Sequence, residues 1–456
     1  MGHNIDRRQF LSTGAGLLGL LASGSFSPAL RAQTVQDDYR ALVLVFQFGG
    51  VDCHDVIIPY DNGAYNEYAN IRASVIADHG GNRARSALLP LGSGSPDYAL
   101  PPELSAFHTL FEEGSAAVVG NLGPLVEPVN REQLTAGSVA LPPRLFSHND
   151  QQSVWQATSP EGALAGWGGI FTELMVEQGI SPDSPFAALT TARDSLFVTG
   201  YDTVPYVAGS GRVRLDLAGV IANSSGGSLR SLYQALIAQG QSADHILTRD
   251  LANTTVNGFQ ANEEYLSIVE QAPDLGVTFA DTSLGSQFER VANIIATQQQ
   301  FGVKRQVFLV GAYGYDTHSY QGGLLPDLHT DLSDGVAAFT EALKNIGAFD
   351  RVTLATGSDF GRTLRANGDG TDHGWGGHHF VVGGAVNGGQ LYGSIPDPTF
   401  EHSQDAGNGR LIPTIAVDQY AASLGRWLGL EDAALEFALP SWRNFSADPL
   451  SGLMLG

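Results

Sequence analysis

The chain has 456 residues, 43% hydrophobic and 16% charged, so it is long enough to bury a large core without covalent staples. Its formal net charge of −23 argues against a surface that binds nucleic acid or anionic lipid. Its single cysteine, Cys53, excludes an intramolecular disulfide framework.

The first 32 residues predict a twin-arginine export signal. The segment Asp6–Ser12 (DRRQFLS) contains the paired arginines, and a short apolar run at 17–22 follows it. The run is too short to span a membrane, and no later apolar segment is long enough either. Because this route exports folded proteins, we expect a periplasmic or extracellular protein that binds its metal before export. The alternative is a chance arginine pair before a buried helix.

Strands and helices are predicted to alternate along the rest of the chain, residues 39–456. Continuous apolar runs predict buried, mostly parallel strands at 39–48, 115–120, 305–310, 351–356 and 379–382. Apolar residues at helical spacing predict helices at 102–113, 284–298, 328–346 and 417–428. The alternation predicts an α/β fold of three layers around a mostly parallel central sheet.

A stretch of different composition, residues 184–276, interrupts this pattern. It is rich in Gly, Ser, Thr and Asn, with a short β-like piece at Ser195–Val198 and a helix near Leu229–Gln239. We interpret it as an inserted region that caps one edge of the sheet.

Most clusters of Asp and His follow predicted strands, which is where ligands bind in open α/β sheets. Asp52 follows the first strand and Asp359 follows the fourth, while Asp316 and His318 follow the third. The cluster at 372–379 precedes the fifth strand, so it reaches the same edge only if that strand is antiparallel or its loop folds back. Imidazoles and carboxylates are ligands of divalent cations, so these residues predict a metal site.

Each of these residues also has a structural interpretation, as a turn former, a surface side chain or a cap on the backbone. Of His373, His378 and His379, we expect at least one to be structural. Because alternate residues of a strand face opposite sides, only one of His378 and His379 can face the site.

The segment at 145–152 begins a predicted helix and leaves two roles open for Ser147. With Asp150 three residues later, Ser147 can be the N-cap of the helix in a capping box. It can also be a nucleophile at the positive end of the helix, where an anion is stabilised.

In their order along the chain, the polar motifs resemble a bacterial family known as domain of unknown function 1501, whose members usually carry twin-arginine signals. The resemblance covers nearly the whole mature chain. The matching segments are GGVD (49–52), SHNDQ (147–151), YDTH (315–318), SDFGRT (358–363), DHGWGGHH (372–379) and DQYA (418–421). That family is similar in turn to the alkaline phosphatase and sulfatase superfamily, which implies an alkaline phosphatase-like sandwich.

The resemblance also implies two sets of three ligands: Asp52, Ser147 and Asp359 for one ion, and Asp316, His318 and either His373 or His378 for the other. The chain departs from the superfamily pattern at Phe360, where a histidine is expected after Asp359. One ion is therefore weak or absent unless His373 replaces that histidine. Cys53 lacks the Cys-x-Pro-x-Arg context that sulfatases need to form formylglycine.

The first function that these residues predict is an exported metal-dependent hydrolase of phosphate or sulfate esters, with Ser147 or a metal-activated water as the nucleophile. Arg362 would clamp the anion, and His148 or His373 would move protons. The cofactor would be one or two divalent ions, with Zn, Mn and Ca as candidates. The substrate would be a small-molecule or polysaccharide ester.

The second predicted function is a non-catalytic surface or assembly protein that keeps a remnant of the metal site. The histidine missing after Asp359 favours this alternative. The resemblance further implies an exported protein partner for it. Metal analysis, followed by turnover of an aryl phosphate or aryl sulfate, separates the two functions.

Overall fold

The computed structural model describes residues 38–92, 94–209 and 228–455. The predicted export signal at 1–32 lies outside the described residues. None of the described helices combines the length and the apolar content needed to cross a bilayer.

Fourteen strands lie in the described residues. They are β1 (Arg40–Phe48), β2 (Ile58–Pro59), β3 (Leu89–Pro90), β4 (Tyr98–Leu100), β5 (Ala116–Gly123), β6 (Ala188–Thr190), β7 (Tyr206–Val207), β8 (Arg305–Tyr313), β9 (Val352–Ser358), β10 (Arg362–Ala366), β11 (Thr371–His373), β12 (Gly377–Val382), β13 (Leu391–Gly393) and β14 (Ile415–Ala416). Nine of them form the central sheet, in the order β13-β5-β12-β9-β1-β8-β6-β7, with β14 also beside β5. β10 pairs with β11, and β2, β4 and β3 form a small third sheet.

The α-helices that lie between these strands are α1 (Cys53–Val56), α2 (Asn62–Ile71), α3 (Ala73–Ala77), α4 (Ser105–Glu112), α5 (Arg131–Ala136), α6 (His148–Ala157), α7 (Trp167–Glu177), α8 (Ser228–Gln241), α9 (Ile246–Val269), α10 (Ser283–Ala296), α11 (Gln298–Phe301), α12 (Gln321–Asn345), α13 (Val417–Leu428) and α14 (Asp432–Ala438). Single 3₁₀ turns lie at Arg85–Ala87, Pro102–Leu104, Leu196–Val198, Phe349–Arg351 and Trp442–Asn444.

Alternate residues of β1 enter two separate hydrophobic cores, one on each face of the sheet. Val43 and Val45 pack into a core formed with α4, α10 and α12. Leu42 and Leu44 pack into a second core formed with α7, α13 and α14. A strand buried on both faces needs apolar residues at every position, which explains the unbroken run at 41–46. The three-layer α/β sandwich predicted from the sequence is confirmed.

β12 is the one antiparallel strand of the described central sheet, and it lies between β5 and β9. Its pairing with β9 matches Val382 with Leu354 and Val381 with Ala355, so its first residues lie level with the end of β9. The cluster at 372–379 therefore reaches the edge where the parallel strands end. The sequence had left this point open between two geometries.

The stretch at 184–276 contributes to the central sheet as well as to its edge. β6 pairs in parallel with β8, and β7 pairs with β6 at the end of the sheet. The prediction of a β-like piece at Ser195–Val198 is wrong, because residues 196–198 form a 3₁₀ turn. The helix expected near Leu229–Gln239 lies within α8, which forms an antiparallel hairpin with α9.

Asp418, in the first turn of α13, is a buried carboxyl that destabilises the fold when it ionises. It is 4% exposed, and its Oδ1 accepts a hydrogen bond from the amide of Ser441 at 3.0 Å. Burial raises the pKa of Asp418 from 3.8 to about 7. The folded state therefore binds this proton more tightly than the unfolded state does. Folding stability falls as the pH rises from about 4 to about 7, and the whole cost is present above that range.

We predict that Asp418→Asn stabilises the protein at pH 8 by roughly 1–4 kcal/mol, because the amide keeps the acceptor for Ser441 without a charge. The gain should shrink towards zero at pH 4. Urea unfolding at several pH values measures it, and the exposed Asp183→Asn is the matched control. A difference that is the same at pH 4 and pH 8 would contradict the assignment.

Candidate functional site

Two left-handed glycines after β1 allow the neighbouring loops to pack against the end of that strand. Gly49 has φ 117° and Gly50 has φ 86°. A Cβ on Gly49 would overlap the amide of Asp316, and one on Gly50 would overlap the ring of Phe360. Only glycine fits both the backbone conformation and the close approach. The loops after β8 and β9 therefore meet at the end of β1.

Three side chains from distant segments converge at this edge: His148 at the start of α6, Asp316 after β8, and His373 in β11. One ligand atom from each lies within 4.8 Å of the other two. The Asp316 carboxylate is 3.6 Å from Nε2 of His148 and 3.4 Å from Nε2 of His373. We call His148, Asp316 and His373 the edge cluster.

The Asp359 carboxylate fixes the orientation of the His148 ring. Its Oδ2 accepts a hydrogen bond from Nδ1 of His148 at 2.6 Å and one from Gln152 at 2.9 Å, while Oδ1 accepts from the amide of Gly49 at 3.2 Å. Because Nδ1 donates, Nε2 of a neutral His148 is unprotonated and has a free lone pair. This Nε2 is buried and has no hydrogen-bond partner. The hydrogen bond that His148 donates to the Asp359 carboxylate raises the pKa of His148.

A backbone carbonyl fixes the ring of His373 with Nδ1 as the donor, as Asp359 does for His148. Nδ1 of His373 donates to the carbonyl oxygen of Phe146 at 2.8 Å, so its Nε2 also presents a lone pair. Phe146 itself is a non-glycine residue in the left-handed region, with φ 73°. Burial lowers the pKa of His373, which favours the neutral form that binds metal.

His318 lies beside the edge cluster and is 43% exposed. Its Nε2 is 2.7 Å from Nε2 of His373 and 3.2 Å from Oδ1 of Asp316. Its Nδ1 is 3.6 Å from the Asp372 carboxylate. His318 is thus a fourth side chain that can donate to an ion at this position.

The donor set fits a divalent cation. Two imidazoles and one carboxylate are the ligands that catalytic zinc sites use with an open fourth position. Each imidazole uses its Nδ1–H to donate a hydrogen bond to a carboxylate or a carbonyl oxygen, as metal-bound histidines do with their second nitrogen. Nε2 of His148 is buried and has no hydrogen-bond partner, and a bound ion would give it one.

Arg362 is oriented towards the protein and not towards solvent. It is fully buried, and its Nε and Nη atoms donate to the carbonyls of Gly49, Gly50, Tyr315 and Thr371 at 2.6–3.2 Å. It also forms an ion pair with Asp316. Burial alone would raise the pKa of Asp316, but the hydrogen bond and charge of Arg362 lower it. These contacts join the neighbouring loops through Arg362, and its role as an anion clamp stays a prediction.

Asp52 does not join the edge cluster. It is completely buried, and its Oδ2 forms an ion pair with Arg72 and accepts a hydrogen bond from Gln321. Nearby, Arg83 holds Asp55 by two hydrogen bonds of 2.6 Å. A buried carboxylate needs a positive partner, and for Asp52 a guanidinium supplies it. The structure does not bring Asp52 into the edge cluster, and its role as a metal ligand stays a prediction.

His378 is also separate from the edge cluster. It is 1% exposed, and its Nδ1 accepts a hydrogen bond from the amide of Asn121 at 3.0 Å. Its ring centroid lies 6.5 Å from that of His54. Burial lowers the pKa of His378 to about 3, so the ring is neutral. Of the histidines at 372–379, His373 is the one that lies beside Asp316, and the role of His378 as a ligand stays a prediction.

Ser147 occupies the N-cap position of α6, but its side chain does not cap the helix. Its Oγ donates to Oδ2 of Asp150 at 3.0 Å. Asp150 is 3% exposed and lies 3.5 Å from Arg144. The hydroxyl of Ser147 is therefore paired with a buried carboxylate, one residue before His148.

Sequence reasoning missed two side chains that position the edge cluster. Gln152 lies four residues after His148, hence on the same helix face, and this spacing could have identified it. Phe360 was noted only as a departure from a pattern. Its buried ring lies 5.0 Å from the ring of His148 and 4.6 Å from that of His373, and it holds both in place.

A family model described as "Protein of unknown function (DUF1501)" matches residues 39–434. No curated protein matches the sequence. Among solved structures, the chain is similar to PsFucS1 sulfatase from Pseudoalteromonas sp., with TM-score 0.36 and 13% identity over 89% of this chain and 70% of that chain. It is also similar to Ps i-CgsB, with TM-score 0.37 and 10% identity over 90% and 77% of the two chains. A third is the phosphonate monoester hydrolase SpPMH from Silicibacter pomeroyi, with TM-score 0.32 and 11% identity over 86% and 74%.

We predict that His373→Ala loses its bound divalent ion while His378→Ala retains it, because of these two histidines only His373 lies beside Asp316. Metal analysis of both purified variants after dialysis measures the effect. Far-UV circular dichroism confirms that both remain folded. Equal loss of ion from the two variants would remove His373 from the ligand set.

We also predict that Asp359→Asn weakens metal affinity by about 10–100-fold, because the amide no longer fixes the tautomer of His148. Competition with a chelator measures the affinity. Asp183→Asn is the control, since this exposed carboxylate precedes β6 and lies outside the edge cluster. Unchanged affinity in Asp359→Asn would show that the His148 tautomer does not depend on Asp359.

Proposed function

We propose that this chain, which belongs to the DUF1501 family, is an exported, metal-dependent hydrolase of phosphate or sulfate esters. One divalent ion would be held by His148, Asp316 and His373, with His318 beside them. The supporting observation is the buried Nε2 of His148, which lacks any hydrogen-bond partner and faces a carboxylate and a second imidazole.

The residues around the edge cluster favour one ion over two. The superfamily resemblance would assign Asp52 and a histidine at position 360 to further ligand positions. Asp52 is instead neutralised by Arg72, and an aromatic ring stands at Phe360. Neither Asp52 nor position 360 would therefore supply a ligand for a second cation. When bound, the single ion would supply Lewis-acid polarisation of the ester oxygen.

Ser147 is the proposed nucleophile, with Asp150 as its proton acceptor. The hydrogen bond of 3.0 Å already directs the Ser147 proton to the Asp150 carboxylate. As Oγ forms its bond to phosphorus or sulfur, the bond to the ester oxygen breaks, and the alcohol leaves with that proton. Water then attacks the seryl ester, Asp150 transfers the proton of the water back to Ser147, and inorganic phosphate or sulfate is released.

Anion recognition is assigned to groups at the rim, since Arg362 is occupied by backbone. Ser147 and His148 begin α6, whose positive end favours an anion. Arg410 is half-buried beside the edge cluster: its Nε donates to the carbonyl of His373 at 2.8 Å, and its guanidinium lies 5.2 Å from the ring of Phe146. A charge of −23 repels anionic substrates over long range, so these local groups and the ion supply the attraction.

Export is part of the proposal because of the DRRQFLS segment at residues 6–12. The proposed substrate is a small-molecule or polysaccharide ester. The alternative, a non-catalytic surface or assembly protein with an exported protein partner and a remnant metal site, is favoured by the pairing of Asp52 with Arg72.

We predict turnover of an aryl phosphate or aryl sulfate by the metal-loaded protein. Asp316→Ala should lower it by at least about 100-fold, because one ligand of the ion is lost. Asp183→Ala is the control, since this exposed carboxylate precedes β6 and lies outside the edge cluster, and it should keep both metal and activity. Stoichiometric metal with no turnover on either ester would favour the non-catalytic alternative.

The variant Ser147→Ala distinguishes the two candidate nucleophiles, the hydroxyl of Ser147 and a metal-activated water. With Ser147 as the nucleophile, this variant keeps its metal, loses turnover and forms no covalent phospho- or sulfo-enzyme detectable by mass spectrometry. Turnover close to that of the wild type would assign the attack to water and overturn the role of Ser147.

A further inference from the structure

Gln321, the first residue of α12, is completely buried and joins the two segments that carry Asp316 and His373. Its Oε1 accepts one hydrogen bond from the hydroxyl of Thr317 at 3.0 Å and another from the hydroxyl of Thr371 at 2.7 Å. Thr317 directly follows Asp316, and Thr371 lies two residues before His373. The segments also meet directly, because the amide of Thr371 donates to the carbonyl of Thr317 at 3.1 Å. Both lone pairs of one amide oxygen are thus used to hold the two segments together.

The carboxylate of Asp52 determines which way the Gln321 amide points. Nε2 of Gln321 donates to Oδ2 of Asp52, which also forms the ion pair with Arg72. A carboxylate paired with a guanidinium accepts hydrogen bonds and cannot donate them. The reversed amide would place its oxygen against this carboxylate, so Oε1 must face the two threonines. The buried pair of Asp52 and Arg72 is therefore connected, through Gln321, to both segments.

We propose that Gln321 is a positioning residue of the edge cluster, and that Asp52 acts on the cluster by orienting its amide. The inference rests on the proposed metal site, in which Asp316 and His373 share an ion. Their ligand atoms lie 3.4 Å apart, and this separation depends on how the two segments are joined. Ligands held at the right distance before the ion arrives bind it more tightly than ligands on independent loops.

The first test is Gln321→Met, which keeps the length of the side chain and removes its hydrogen bonds. The affinity for Zn²⁺, measured by competition with a chelator, should fall by about 10–100-fold, because the partners that orient metal ligands contribute that much. In the metal-free protein, the amide of Thr371 should exchange its hydrogen faster than in the wild type, because the two segments separate more often. Mass spectrometry of peptides that contain Thr371 measures this exchange.

The second test exchanges the amide and the carboxylate in the double variant Asp52→Asn with Gln321→Glu. The carboxylate at position 321 accepts from both threonines, while the amide at position 52 donates to that carboxylate and accepts from Arg72. Each single variant disturbs this match, so each should lose affinity for Zn²⁺. The double variant should recover at least about tenfold of the affinity lost. A residue that only stabilises the fold gives no such specific rescue of metal binding.

Gln306→Met is the matched control, because Gln306 is equally buried but lies at the opposite end of β8 from the edge cluster. Its Oε1 accepts from the hydroxyl of Tyr39 at 2.6 Å, and its Nε2 donates to the carbonyl of Phe186 at 2.8 Å. This variant should lose stability but keep its affinity for Zn²⁺ and its exchange at Thr371.

Circular dichroism and thermal unfolding show whether each variant is folded, and the double variant decides the question if Gln321→Met is not. Unchanged exchange or unchanged affinity in folded Gln321→Met overturns the inference. So does an equal loss of affinity in Gln306→Met, or a folded double variant without rescue. A wild type that binds no Zn²⁺ overturns the inference together with the metal site. Zn²⁺ binding without turnover of any ester overturns the proposed hydrolysis alone.

Discussion

One buried guanidinium joins the loops on which the candidate site is built. Arg362 donates to carbonyls in the turn after β1, in the loop after β8 and in β11, and pairs with Asp316. Without it, buried carbonyl oxygens would have no donor, and each such loss is costly. Because Asp316 and His373 lie on two of these segments, their separation depends on Arg362. The geometry of the edge cluster is thus set by a residue that is not part of it.

The two imidazoles of the edge cluster are oriented by different kinds of acceptor. His148 is fixed by the Asp359 carboxylate, which also binds Gln152 and the amide of Gly49. His373 is fixed by the carbonyl of Phe146, a non-glycine residue in a left-handed conformation. Such backbone strain at a non-glycine residue is typical of functional sites. Both rings are held before any ion or substrate arrives, which reduces the cost of ordering them.

Patterns in the sequence were sufficient to predict the layers of this fold and the edge of the sheet where the polar clusters meet. Unbroken apolar runs predicted β1, β5, β8, β9 and β12, because a strand covered on both faces leaves a signal at every position. The individual partners of buried charges leave no such signal. Asp52 and Arg72 lie 20 residues apart, on either side of α1, β2 and α2, and only the structure shows that a guanidinium lies where a metal ion was expected. Likewise, residue type alone could not show that His378 faces Asn121 or that Arg362 faces carbonyls.

The order of strands also has a consequence for biosynthesis. β1 is made first, yet its two neighbours in the sheet, β8 and β9, begin at residues 305 and 352. β12 then inserts between β5 and β9, so the centre of the sheet cannot close until residue 382 has left the ribosome. Such distant pairings make folding slow and expose apolar strand edges in the meantime. The nascent chain therefore exposes unpaired apolar strands until translation is nearly complete.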